Sequence, residues 1–246
     1  MRLRRLGLPK IFGKPGFRRG GVSFRLPAVT AERMRALDRE ARVRFGIPEL
    51  ILMEHAGSGA VREIRRLLRR DRRRTGAVLV LAGPGANGGD GFVVARQMDN
   101  GGVPVEVLLL GDPARLRGAA KINWEILGRI GVTRRTIRGK SDWERWLRKK
   151  PRIRLVLDAI LGTGLSGPVR EPIRQVIGWL NRLPCEVVAM DLPSGLCADT
   201  GRPLGAAVRA TRTVACAFPK AGFAGARRYT GRVVVADISF PRVLRP

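Results

Sequence analysis

Residues 77–92 read AVLVLAGPGANGGDGF, six apolar residues running directly into a glycine-rich turn. A short, wholly apolar run suits a strand buried on both faces. Glycines at 83, 85, 88, 89 and 91 let the backbone turn tightly and come close to a ligand. A helix over 91–100 would then offer its free N–H groups to a phosphate or pyrophosphate. Gly83 to Gly88 also fits the G-x-G-x-x-G dinucleotide fingerprint, which raises the question of a hydride-transferring dehydrogenase.

The strand-to-helix pattern repeats outward from this stretch. Further apolar runs fall at 103–110, 153–157, 186–190, 213–218 and 232–238. Helix-length stretches at 91–100, 113–130 with 141–149, and 171–182 separate the first four runs. Strand, crossover helix, strand predicts a parallel sheet covered on both faces, with edge strands or meandering in the tail. Upstream, TAERMRALDREARVRFG predicts a helix opened at Thr30 and stopped by Gly46-Ile-Pro48, and a second helix spans 49–69. The reading is one α/β domain over residues 29–246, preceded by a basic, disordered arm over 1–28.

Composition bounds the partners. No apolar run is long enough to span a bilayer. Three cysteines without C-x-x-C spacing and a single histidine, His55, argue against a Cys/His zinc site and for reduced thiols in the cytoplasm. The formal charge of +28 has two readings. A basic surface attracts nucleic acid. Yet 41 of the 48 basic residues are arginine, and glycine, proline and alanine are also abundant, as GC-rich codons would give. The arginine clusters at 65–74 and 134–140 lack the interleaved aromatics of a base-stacking platform, so nucleic acid is a possible but unsupported partner. The acid-poor start allows an organelle address, although its glycines and prolines break an amphipathic helix.

In an open parallel sheet, ligands sit beyond the carboxyl ends of the strands. Four loops there carry chemistry: GPGANGGDGF, Asp158 with AILGTGLSGP, Asp191-Leu-Pro-Ser194-Gly195, and Phe218-Pro219-Lys220. The dehydrogenase reading asks for an acidic residue at the end of the next strand, but Glu106 sits in mid-run and Asp112 comes late. Tyr229 has no lysine four residues on, and neither a P-loop nor a G-x-S-x-G elbow is present. What remains is an oxygen-rich set, Asn87, Asp158, Asp191 and Ser194, which suits a hard cation. Taken singly, each aspartate could equally cap a turn.

Together these blocks resemble the NAD(P)H-hydrate epimerases, the YjeF-type amino-terminal domain, over residues 29–241. The agreement lies in AERMRALD (31–38), GIPELILMEHAG (46–57), GANGGDGFVVAR (85–96), DAILGTGLSGPVREP (158–172), DLPSGLCADTG (191–201), FPKAG (218–222) and GRVVVADISFP (231–241). The resemblance implies a Rossmann-like three-layer αβα sandwich with a mostly parallel central sheet. It implies interconversion of the R and S forms of hydrated NADH and NADPH, with a potassium ion at the site, a separate NAD(P)HX dehydratase in the same pathway, and a homodimer. Substrate-binding positions carry over to Ala86, Asn87, Gly88, Gly89 and Asp90, to Gly162, Thr163, Gly164, Leu165, Ser166, Gly167 and Pro168, and to Asp191. Potassium ligands carry over to Asn87, Asp158 and Ser194, and the Pro-Lys element to Lys220.

Asp191 is the expected acid/base. The C6 hydroxyl of the substrate can leave with help from the ring-nitrogen lone pair, or the ring can open and reclose; either route moves a proton at that oxygen. Three positions depart from the family pattern: Ala86 and His55 each replace an asparagine, and Cys197 replaces an aspartate. His55 could donate to the site or serve helix packing or the surface. The rival reading is a non-catalytic module of the same type that binds RNA or a protein partner.

Overall fold

The computed structural model describes residues 26–71, 75–149 and 152–245. Most of the expected arm, residues 1–25, and part of the first arginine cluster, residues 72–74, lie outside the described residues. Seven strands form one sheet: β1 (Ala77–Ala82), β2 (Val105–Leu110), β3 (Thr133–Ile137), β4 (Ile153–Ala159), β5 (Glu186–Met190), β6 (Arg212–Cys216) and β7 (Arg232–Ala236). Their order is β3-β2-β1-β4-β5-β6-β7, and every pairing is parallel. The tail therefore does not meander; β7 closes the edge in the same direction as its neighbours.

Alternation along β1 separates the two cores. Val78, Val80 and Ala82 face one hydrophobic cluster, and Leu79 and Leu81 face the other. The first cluster is covered by α1 (Ala31–Val43), α2 (Glu49–Arg70), α3 (Ala86–Asn100) and α4 (Gly118–Arg129). The second is covered by α5 (Lys140–Leu147) and α6 (Ile173–Leu180), where Trp143, Trp146 and Trp179 pack within 5.0–5.6 Å of one another. Three layers, α/β/α, result. Thr30 accepts a hydrogen bond from the Arg33 amide at 3.1 Å, and Ala31, Met34, Leu37 and Ala41 form the buried stripe of α1, whereas Val43, which the sequence also places on the apolar face, is exposed at the helix end.

Two boundaries differ from the sequence reading. Strand β3, TRRTI, was not anticipated, because its first three residues are exposed and two are arginines. It is held at the sheet edge by side chains: Arg135 donates to Glu106 of β2 at 2.8 Å, and Arg134 lies over Trp124 at 4.6 Å. Charged side chains on an edge strand also discourage pairing with another chain. Helix α3 begins at Ala86 rather than at 91, so the NGGDG segment is its first turn and not a loop.

Candidate active site

The four chemically loaded loops follow β1, β4, β5 and β6, which are consecutive in the sheet, so all four open onto one rim. At the start of α3 the glycines serve close packing. A Cβ on Gly88 would lie 1.8 Å from the Gly83 carbonyl oxygen, and one on Gly91 would lie 2.8 Å from Ala159 Cβ. The helix is thereby pressed against the ends of β1 and β4, which places Asn87 and Asp90 on the rim.

Asn87, Asp158 and Ser194 come together as one buried cluster. Asp158, the penultimate residue of β4, has no exposed surface, and its carboxylate accepts from the Ser194 hydroxyl (2.5 Å), the Ser194 amide (2.8 Å) and the Ile160 amide (3.4 Å). The Ser194 oxygen accepts from the Leu161 amide at 2.9 Å, and Asn87 Nδ2 donates to the Leu161 carbonyl at 3.0 Å. Asn87 Oδ1 is buried and has no hydrogen-bond partner among the described residues. Burial raises Asp158 to about 6, against the lowering effect of its Ser194 and Ile160 hydrogen bonds.

Asp191 stands at the end of β5 with φ +62°, a left-handed conformation uncommon for a residue with a side chain. Its amide donates to Val214 O at 2.8 Å, and a three-residue turn closes over it from Leu192 N to Met190 O at 2.7 Å. Ala217, at the end of β6, repeats the arrangement with φ +59° and a Phe218 N to Cys216 O bond of 2.6 Å. These paired turns aim Asp191 across at the neighbouring strand, where its Oδ1 accepts from the Cys216 amide (3.0 Å) and from Lys220 Nζ. Lys220 is fully buried, and it also donates to the carbonyls of Cys216 (3.3 Å) and Phe218 (3.2 Å).

Two further carboxyls feel the charges of this pair. Asp90 is raised well above its ordinary value by burial first, then by the charges of Asp191, Asp38 and Glu49, against Lys220. Asp38, on α1, is raised to about 6 by burial and then by Asp191, while Lys220 and Arg42 oppose. Asp38 was missed in the sequence, where it reads as an ordinary polar position of an amphipathic helix. Only its place on the buried side of that helix, between Met34 and Ala41, hints at more.

The loop from Gly162 to Pro168 lines the rim beside Asn87, and Arg35 of α1 donates to its Thr163 carbonyl at 3.3 Å. Gly162, Thr163 and Leu165 are half-buried there, whereas Gly164, Ser166, Gly167 and Pro168 are exposed. The departing positions lie apart from the buried clusters. Ala86 is exposed at the first turn of α3, and His55 is exposed on α2. Cys197 is half-buried, and hydrogen bonds from Thr200 lower its thiol below the ordinary range.

Known proteins resemble this chain in sequence and in fold. A family model described as YjeF-related protein N-terminus matches residues 49–222. A NAD(P)H-hydrate epimerase of Rhodopirellula baltica is 35% identical over 236 residues, covering 93% of each chain. A bifunctional NAD(P)H-hydrate repair enzyme of Moorella thermoacetica is 43% identical over 221 residues, covering 88% of this chain and 41% of that protein. The chain thus spans well under half the length of such bifunctional relatives. The crystal structure of yeast ynu0 (YNL200c) has the same fold, with a TM-score of 0.72 at 24% identity over 85% of this chain and 87% of that one. Among the described residues, no helix is long and apolar enough to cross a membrane.

Proposed function

Since the chain belongs to the family of YjeF-related protein N-termini, we propose that it is an NAD(P)H-hydrate epimerase, interconverting the R and S forms of hydrated NADH and NADPH. The observation that carries this reading is Asp191, held in a left-handed turn on the rim by Lys220 and the Cys216 amide, next to a glycine-rich helix start. A carboxylate fixed in this way can exchange a proton with the C6 oxygen of a substrate laid along the rim. The amide groups at the start of α3 and the Gly162–Pro168 loop would take the dinucleotide's phosphates and ribose.

Potassium fits the residues present. Asn87 Oδ1 is an orphaned buried acceptor, and Asp158 and Ser194 supply hard oxygen donors beside it. These three would hold the ion, which would supply a fixed charge that orders the Leu161–Pro168 segment. The epimer formed would pass to an NAD(P)HX dehydratase. A homodimer and an intracellular setting complete the reading; the thiols of Cys197 and Cys216, neither in a disulfide, support the latter.

The test mixes the protein with an excess of one hydrate epimer and follows epimer ratios by chromatography against a blank without protein. Accelerated equilibration that is lost in Asp191→Asn is expected. Equilibration at the blank rate would overturn the enzymatic reading and turn attention to salt-dependent RNA binding.

A further inference from the structure

We propose that Asp38 is the second acid/base group of this site, so that one of the two carboxyls, Asp191 or Asp38, serves the departing hydroxyl and the other the incoming water. The inference rests on the epimerase reading and adds to it a residue from α1.

The placement of α1 is fixed on three sides by the site's own loops. Val29, just before it, bridges the Lys220 segment through Val29 N to Pro219 O and Ala221 N to Val29 O, both 2.9 Å. Its first amide, Ala31 N, donates to Asp199 Oδ1 at 2.6 Å. One turn on, Arg35 reaches the Thr163 carbonyl of the substrate loop. Asp38 follows three residues later and is half-buried. The charged groups that act on it come from every surrounding element: Asp191 after β5, Lys220 after β6, Glu49 of α2 and Arg42 of its own helix. Asp90 of α3 feels Asp38 in turn.

Among the described residues, no hydrogen bond reaches the Asp38 carboxyl, and the Arg42 side chain is turned to the Asp38 backbone oxygen (3.4 Å) and to Glu49 (4.0 Å). A half-buried carboxyl exposed to the charge of other carboxylates costs stability unless it serves a ligand.

The chemistry needs two such groups. Inversion through an iminium breaks the C6–O bond as the ring-nitrogen lone pair forms C=N, and a carboxylic acid gives its proton to the leaving hydroxide, releasing water. A second water then attacks the other face of C6 and hands its proton to a carboxylate, returning the nitrogen lone pair. One acid loses a proton and one carboxylate gains one, so atoms and charge balance. The reverse direction uses the same two groups in exchanged roles. Asp191 is ion-paired to Lys220, whereas Asp38 is raised to about 6, chiefly by burial, so the site holds two carboxyls in different environments.

Asp38→Asn should lower kcat for epimerisation about 100-fold or more, leave KM and the affinity for NADPH little changed, and abolish one limb of the kcat pH profile. Asp38→Glu should recover part of the rate. In water enriched in oxygen-18, the wild-type protein should place one solvent oxygen in each inverted product. Wild-type acceleration that persists in Asp38→Asn, or inversion without solvent oxygen, would overturn this inference and leave the epimerase reading standing. A wild-type protein that does not accelerate epimerisation overturns the epimerase reading itself, and this inference with it.

Discussion

The Lys220 ammonium donates to Asp191 Oδ1, and the two residues come from the ends of adjacent parallel strands, with the lysine fully buried and the carboxylate side chain 14% exposed. Breaking a buried pair by removing one partner is costly because the other charge is left without compensation. Lys220→Met should therefore lower stability by about 3–5 kcal/mol and release Asp191 from its fixed direction, with a large loss of epimerisation. Denaturant melts and rate measurements on the same preparation check this. A variant as stable as the wild type would show that the backbone turns alone hold the carboxylate.

Asp38 carries a stability prediction whose sign is opposite to that of a salt-bridged aspartate. Burial, then Asp191, raises it from 3.8 to about 6. The folded chain therefore holds this proton more tightly than the unfolded chain. The group's penalty is absent below about pH 4 and grows as pH rises to about 6, above which it is complete. Asp38→Asn should melt higher than the wild type at pH 7.5, with the difference shrinking toward pH 4.5. A more stable but slower variant is the pattern of a residue retained for chemistry. A gap in melting temperature that stays constant between the two pH values would contradict the assignment.

The legible parts of this fold are those in which burial dictates residue type. Strands β1, β4 and β5 lie inside the sheet and read as apolar runs, and their loops announce themselves by glycine, hydroxyl and carboxylate. Strand β3 was illegible because an edge strand need not be apolar; Arg134 and Arg135 are held by Trp124 and Glu106, contacts that exist only after folding. The start of α3 was placed five residues late, since Gly88 and Gly89 read as loop residues when no packing partner is known. In the site, motif resemblance pointed to Asn87, Asp158, Ser194 and Asp191. The pairing of Asp191 with Lys220 depends on β5 and β6 being neighbours and on a left-handed residue, neither of which composition reveals.

The orphaned Asn87 Oδ1 leads to an ion-specific prediction. Potassium chloride should raise the melting temperature relative to tetramethylammonium chloride at equal ionic strength, by mass action on the folded state. Asn87→Ala should remove that difference while leaving the general salt response intact. Equal melting in both salts for the wild-type protein would exclude a specific potassium site.

The glycines of α3 separate packing against backbone from packing against a flexible side chain. A Cβ at Gly88 would meet the Gly83 carbonyl oxygen at 1.8 Å and the Gly83 carbonyl carbon at 2.8 Å, so neither atom can yield without moving the end of β1. A Cβ at Gly89 would first meet Met53 Cε at 2.5 Å and Sδ at 2.7 Å, the far end of an unbranched side chain with several rotamers. Added volume in a well-packed core costs typically about 1–3 kcal/mol when rearrangement absorbs it, and more when it cannot. Gly88→Ala should accordingly destabilise beyond that range and displace Asn87 and Asp90 from the rim, abolishing epimerisation. Gly89→Ala should fall within it and keep measurable activity, and Gly85→Ala, whose Cβ meets nothing within 4 Å, should be close to neutral in stability. Denaturant midpoints for the three variants test the ranking, and a Gly88→Ala protein as stable as Gly85→Ala would refute the close approach of α3 to β1 on which the site is built.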